Sequence, residues 1–436
     1  MTPSRFLPTA LAALCLATPA WSANLSAIYQ LARDNDAKLA AAREALKAGQ
    51  EKLPQGKAGL LPSVSLSSSY FTSQSDTALG SRTTHPYGYR LELAQPLYRK
   101  QNLETYAQGK IQALLSEQQF KVAEQELLLR VAGAYFDVLQ AQDVVATAQA
   151  QKQAYAEQLA QARKSFEVGA ATITDTQEAQ ARFDLTVAQE IAALNDQEVK
   201  RRTLEKIISR ESPKLAMLAD GARMPLPEPA SMEAWVTQAE TSSLGVAVSQ
   251  SGLELARREV EKQRGGYLPN VDLQASYSDS RNTSTAVGGT DATIQTGQIG
   301  VVLGWNLYQG GGTDSRMREV VASQEKARYE LDDARRQSRL DARQGFLGVL
   351  SGDAQVKALE QALVSSEAQL KSTKLGLEVG VRTRVDVLNA QQQVFSTRRD
   401  LAAAKYKTLL ASLQLKAAAG SLNPDDLKAL DALLRD

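Results

Sequence analysis

The side chains that could do chemistry in this sequence are few and scattered. His85 is its only histidine and has no companion ligand nearby, so neither a metal centre nor a histidine base with its orienting partner is visible. Cys15 is the only cysteine and lies in an apolar N-terminal run, which leaves the rest of the chain without a thiolate, a disulfide or a cysteine metal site. Gly310-Gly311-Gly312 lacks the Lys-Ser/Thr that completes a phosphate-binding loop and follows a strand-like pattern, where it turns the chain into the next helix. What remains is fixed charge at helix ends. Glu167-Val168-Gly169-Ala170-Ala171-Thr172-Ile173-Thr174-Asp175 returns as Glu378-Val379-Gly380-Val381-Arg382-Thr383-Arg384-Val385-Asp386. Asp175, with Glu178, and Asp386 at the matching position can each cap a helix that restarts after a glycine turn, worth about 1 kcal/mol.

The echo belongs to a longer repeat. Leu61-Pro62-Ser63-Val64 matches Leu268-Pro269-Asn270-Val271, and Tyr135-Phe136-Asp137-Val138-Leu139 matches Phe346-Leu347-Gly348-Val349-Leu350. The period of about 210 residues far exceeds the roughly 20 to 50 of solenoid repeats and indicates a half-molecule copied in tandem. Each half opens its main elements with alternating strands. Val64, Leu66, Ser68 and Tyr70 alternate with serines, and Tyr87, Tyr89, Leu91 and Leu93 alternate with Arg90 and Glu92 across a loop at 73–86. In the second half Val271, Leu273, Ala275 and Tyr277 oppose polar residues, as do Ile299, Val301, Leu303, Trp305 and Leu307. Four strands are expected. Proline-free helical patterns over 101–166 and 314–377 would each extend about 100 Å, and Gly169 and Gly380 turn each into a second helix, at 176–209 and 387–419.

The expected organisation is a signal peptide at 1–22, a first repeat at 23–212, a linker and equatorial segment at 213–235, a second repeat at 236–419 and a C-terminal equatorial segment at 420–436. Within the repeats, β-hairpins fall at about 62–98 and 269–308 and helical hairpins at about 100–209 and 314–419. The signal is read from Arg5, the apolar run 6–17 and the small residues Ala20 and Ser22. Removing Arg5 from a chain of net charge +1 leaves almost none, which offers no support for nucleic-acid binding.

Strands of about ten residues with one apolar and one polar face suit a transmembrane barrel, with Tyr87, Tyr89, Trp305 and Tyr308 placed for interfacial belts. Four strands cannot close a barrel in lipid, so several chains must share one; three chains would supply twelve.

The ordered set Leu61-Pro62, Ala134 to Leu139, Phe166 to Asp175, Tyr308-Gln309-Gly310-Gly311, Val379 to Leu388 and the tail from Gly420 resembles the TolC family of outer-membrane export proteins. The resemblance implies a mainly α fold with a membrane β-barrel. The internally duplicated chain gives four strands to a twelve-stranded trimeric barrel above a periplasmic α-helical coiled-coil barrel. It further implies a homotrimer in outer-membrane lipid, docked to a periplasmic adaptor and an inner-membrane ABC or proton-driven pump, with no cofactor and no enzymatic activity. Such a duct exports small toxic compounds, proteins by type I secretion, or both. A periplasmic coiled-coil adaptor and a passive porin are the alternatives.

By the same resemblance Thr174, Asp175, Leu377, Arg382, Asp386 and Asn389 are the constriction and gating positions, with Arg382 paired to Asp175 and Asp386 forming an acidic ring. Val168-Gly169 and Val379-Gly380 are the adaptor-docking turns. Leu377 replaces a tyrosine that bonds the neighbouring hairpin in the family's best-known members, and Asn389 replaces a second tunnel aspartate. Closure is therefore expected to depend more on Arg382, and the pore to be less strongly cation-selective.

Overall fold

A computed structural model describes residues 22–78, 80–219, 221–284 and 292–435. The expected signal peptide, Ser22 apart, lies outside the described residues. The first helical stretch is divided into α1 (Leu25–Asn35), α2 (Ala37–Gln50) and α3 (Lys52–Ala58). The break at Asp36 has a local cause: its carboxylate accepts from the Leu39 amide at 2.8 Å and takes both terminal nitrogens of Arg130 at 3.0 and 3.2 Å. There follow β1 (Ser63–Tyr70), β2 (Ser73–Thr77), β3 (Gly80–Tyr98), α4 (Lys100–Glu167), α5 (Ile173–Ile208) and β4 (Met217–Leu218). The second half continues with α6 (Met232–Ser242), α7 (Leu244–Arg264), β5 (Asn270–Ser284), β6 (Ala292–Gly304), α8 (Gly312–Glu378), α9 (Arg384–Ala418), α10 (Pro424–Asp431) and β7 (Leu434–Arg435).

The four main strands form one antiparallel sheet in the order β1-β3-β5-β6, with β2 added beside β3. Its register sorts side chains by polarity. Val64, Leu93, Ala275 and Ile299 share one row and one face; Leu66, Leu91, Tyr277 and Gly297 form the next row of that face. The rows between them carry Ser65, Glu92, Ser276 and Gln298 on the opposite face. Leu66, Ile299, Val301 and Leu303 are 63–77% exposed in the single chain. An apolar sheet face of this extent must be covered by lipid or protein.

Two boundaries depart from the sequence pattern. The loop expected at 73–86 is instead β2 and the upper end of β3, paired from Ser73↔Thr84 to Thr77↔Gly80. Their residues are polar on both faces, so backbone pairing leaves no hydrophobic period to read. Conversely β6 ends at Gly304, and Trp305, Leu307 and Tyr308 lie beyond the sheet. The Trp305 indole donates to the Tyr267 carbonyl at 3.0 Å, and Gly310 and Gly311 take φ of 59° and 78° to turn into α8. Among the described residues the short β4 and β7 also pair, which brings the linker against the C-terminal tail.

α4 and α8, of 68 and 67 residues, are rods of about 100 Å. Each folds back on its partner, α4 on α5 and α8 on α9, while α2 and α3 lie on α4 and α7 bridges α4 and α8. Gly56 and Gly109 allow the close crossing of α3 over α4, since a Cβ on Gly109 would stand 2.6 Å from the Lys52 carbonyl oxygen. The main core lies at mid-height, where Leu25, Ile28, Tyr135, Phe136, Leu204, Leu413 and Leu427 meet. The buried Tyr135 hydroxyl donates to the carbonyls of Ala216 at 2.7 Å and Ala23 at 3.2 Å, joining both connecting segments to α4. Beside it Phe136 stacks on Tyr406, whose hydroxyl donates to Asp143 at 2.7 Å. Burial raises the pKa of both Tyr406 and Asp143. No helix among the described residues is long and apolar enough to cross a membrane.

Tyr135→Phe leaves both carbonyls without this donor and is expected to cost about 1–3 kcal/mol. The urea midpoint for loss of helical circular dichroism should fall; an unchanged midpoint would show that the hydroxyl is not a structural tie.

Candidate functional site

The far ends of the rods hold the residues singled out by the repeat. Both tips use the same backbone solution. Each long helix stops one residue before a valine, Gly169 or Gly380 follows with φ of 74° or 78°, and a threonine N-cap starts the return helix. At the first tip Thr172 Oγ1 accepts from the Asp175 amide at 3.2 Å, and the Asp175 carboxylate accepts from the Thr172 amide at 3.0 Å. The second tip repeats this with Thr383 and Asp386, at 3.1 and 2.9 Å. The caps are thus Thr172 and Thr383, one turn earlier than the expected starts of these helices, and the aspartates are the third residues of two capping boxes. The missed boundary has a plain signal: the threonine three residues before each aspartate.

Amide and hydroxyl bonds from Thr172 and Thr383 hold the carboxyls of Asp175 and Asp386 below the ordinary carboxylate pKa, helped by the charges of Arg384 and Arg382 respectively. The glycines have open space around them, so their positive φ, and not crowding, is what disfavours a side chain there. Val168, Val379 and Val381 are 66–78% exposed, giving each tip an apolar crown.

The structure divides five of the six expected constriction residues between two surfaces. Asp175 and Leu377 line a cavity of about 360 Å³ between the two helical hairpins, together with Arg384, Lys374 and Gln158. Arg382, Asp386 and Asn389 line a separate groove along α8 and α9. Thr174 is exposed in the first turn of α5. The expected pair between Arg382 and Asp175 is absent from the described contacts of the single chain. Arg382 folds its aliphatic stem over Gly376, where an added Cβ would stand 2.7 Å from its Cγ, and its charge acts on Asp386. The cation acting on Asp175 is Arg384, which also donates to Ser165 at 2.7 Å across the hairpins.

Two further links between hairpins escaped the sequence. Arg182 of α5 donates to Gln392 at 2.5 Å and to Asn389 at 3.1 Å on α9, and Gln158 of α4 donates to Gln391. Polar residues on such long helices ordinarily read as solvated faces. Only the side-by-side packing of the two copies brings α4 and α5 against α9.

A duplicated chain with an amphipathic sheet at one end and capped helical hairpins about 100 Å away has the build of a membrane-anchored export duct subunit. Comparison with known proteins agrees. The family described as outer membrane efflux protein matches residues 28–210 and 235–421. The chain belongs to this family, a family of channel proteins, and is an outer-membrane exit duct. It is 34% identical to the alkaline protease secretion protein AprF of Pseudomonas aeruginosa, covering 96% of this chain and 89% of that protein. It is 31% identical to the outer membrane protein TolC of Vibrio cholerae, covering 96% of each. Among solved structures, a membrane protein from Pseudomonas aeruginosa superposes with a TM-score of 0.80 at 18% identity, covering 96% of this chain and all of that one. The CmeC outer membrane channel of Campylobacter jejuni gives 0.79 at 16% identity, covering 99% and 98%.

The carboxyls of Asp175 and Asp386 are held below their unfolded pKa, so the stability they contribute is complete above about pH 4. It is lost as pH falls through the lower folded values. Hydrogen-exchange protection at both tips, corrected for intrinsic exchange, should therefore be level from pH 7 to 5 and fall at pH 3. Constant protection across that range would count against the boxes as stabilising elements.

Proposed function

We propose that three copies of the chain assemble around one axis. Three sheets then close a twelve-stranded barrel, and three pairs of helical hairpins form a periplasmic tunnel beneath it. The observation that carries this reading is the sheet itself: β1 and β6 are its two unpaired edges, and its outward face is apolar. Lipid offers no hydrogen-bond partner for an open edge, so another copy must supply one.

In this assembly Asp386 projects toward the axis at the periplasmic end. Three carboxylates held ionised by their capping bonds attract cations and oppose mutual approach. Arg182, bonded to Asn389 and Gln392, ties the first hairpin to the second. Arg382 and Asp175 lie on different surfaces of one chain and would meet only between neighbours. The tips at Val168-Gly169 and Val379-Gly380 offer apolar side chains on fixed turns to a periplasmic adaptor, which connects the duct to an inner-membrane ABC or proton-driven pump.

The cargo is proteins, small toxic compounds or both. Two relatives, AprF and the Dickeya chrysanthemi protein PrtF, are named for protease secretion, and the Brucella suis relative BepC is named an efflux protein.

Planar-bilayer recordings of the purified trimer test the constriction. Asp386→Asn should weaken block by a trivalent cation about tenfold and lower cation selectivity. Thr383→Ala removes a capping hydroxyl but keeps the carboxylate and should leave selectivity in place, while Arg182→Ala should raise conductance. Equal effects of Asp386→Asn and Thr383→Ala would reduce the aspartate to a structural cap.

A further inference from the structure

The register of the sheet places one cation, Arg281, on its outward face, above the apolar rows and one pleat beyond Asp279 of the same face. Arg281 pairs with Tyr87, which pairs with Tyr70, so these three side chains form one row of the face that carries Leu66, Leu91 and Ile299. Val271, at the inner end of the same face, lies ten residues before Arg281 on β5. At about 3.4 Å per residue and a strand tilt of about 40°, that separation is roughly 26 Å along the barrel axis, the height of an apolar band of about 25 Å. Tyr98, beside Val271, therefore marks one lipid–water boundary, and Arg281 the other.

The surroundings of Arg281 suit an anion. Tyr70, Tyr87, Tyr89 and Ser68 line a groove on this face, with Asp279 at its floor. Asp279 lies on the same face as Arg281, is 6% exposed and accepts from Gln295 at 3.1 Å. Its nearest approach to Arg281 is to Nε, at 3.8 Å. Among the described residues no acceptor meets the terminal guanidinium nitrogens within hydrogen-bond distance, and the side chain is 55% exposed. A planar donor fork left open at the level of lipid headgroups matches phosphate oxygens, which it can bind by two parallel bonds. Tyrosines on either side provide amphipathic rings suited to the same depth.

We propose that Arg281 and the tyrosine rim of this groove form an outward-facing site for the phosphate of an outer-leaflet lipid headgroup. The proposal rests on the barrel reading above, in which this face meets lipid. The bound phosphate takes the donor fork that the Asp279 pair leaves open, and it fixes the height of the barrel in the membrane.

The test uses the purified full-length assembly in a non-ionic detergent, with bis-phosphorylated lipid A as the probe and native mass spectrometry as the readout. The wild-type protein should bind lipid A at least about tenfold more tightly than Arg281→Gln, given the usual strength of a charge-assisted bond. Arg281→Lys, which keeps the charge without the fork, should fall between them. Millimolar inorganic phosphate should not displace the lipid. Equal binding by wild type and Arg281→Gln would overturn the site, and displacement by free phosphate would overturn its assignment to a lipid. The same spectra report the oligomer, and bilayer conductance reports the duct, so a failure of the barrel reading is seen separately from a failure of the lipid site.

Discussion

An unpaired strand edge cannot be left in lipid, and the rest of this molecule follows from how that constraint is met. One chain makes a sheet of four main strands whose outer members, β1 and β6, have no partner on their far sides. The outward rows through Leu66 and Ile299 are apolar and the rows facing inward between them are polar, so the sheet is built to curve around water with lipid outside. Duplication explains how a chain with so few strands supplies a symmetric segment: each half contributes one hairpin and one pair of long helices. The Arg99 guanidinium binds Asp272 at 2.8 and 2.5 Å where β3 passes into α4, joining the first rod firmly to the strands of the second half.

The other end of the rods is governed by helix-end chemistry. At each tip a reversal of the chain needs a positive φ, which glycine supplies, and a restart of the helix needs its free amides satisfied, which threonine and aspartate supply. The capping bonds and the proposed pore charge rest on one carboxylate. Because amide donors stabilise the ionised form of Asp386, the same bonds that start α9 keep its charge in place at neutral pH. Cross-hairpin bonds from Arg182, Gln158 and Arg384 then join one hairpin to the other.

Much of this was legible in the sequence because its signals are local or periodic. The alternation of Val64, Leu66 and Tyr70 against serines marks a half-lipid-facing strand, and the paired glycine turns mark both tips. The errors have physical causes. β2 is polar on both faces, so its pairing left no period, and the chain after Gly304 stays apolar after leaving the sheet, so its pattern outran its structure. The long-range bonds were invisible for a different reason. Arg182 finds Asn389 and Gln392 only because the two copies pack side by side, and no spacing within one helix encodes that. Within one chain Arg382 and Asp175 line different surfaces, and the Arg382 stem lies over Gly376.

The shared barrel is tested most directly by disulfide crosslinking across the free edges in outer-membrane fractions. After Cys15 the sequence has no cysteine, so introduced pairs report without background. Chains carrying one cysteine at Ser65, Ser67 or Ser69 and one at Thr296, Gln298 or Gly300 place them on opposite edges of the same sheet. Within one chain these edges are three strand spacings apart, roughly 14 Å, too far for a disulfide. A shared barrel predicts that at least one pairing yields a covalent trimer on denaturing gels under oxidising conditions. Monomers alone, for every pairing, would contradict it.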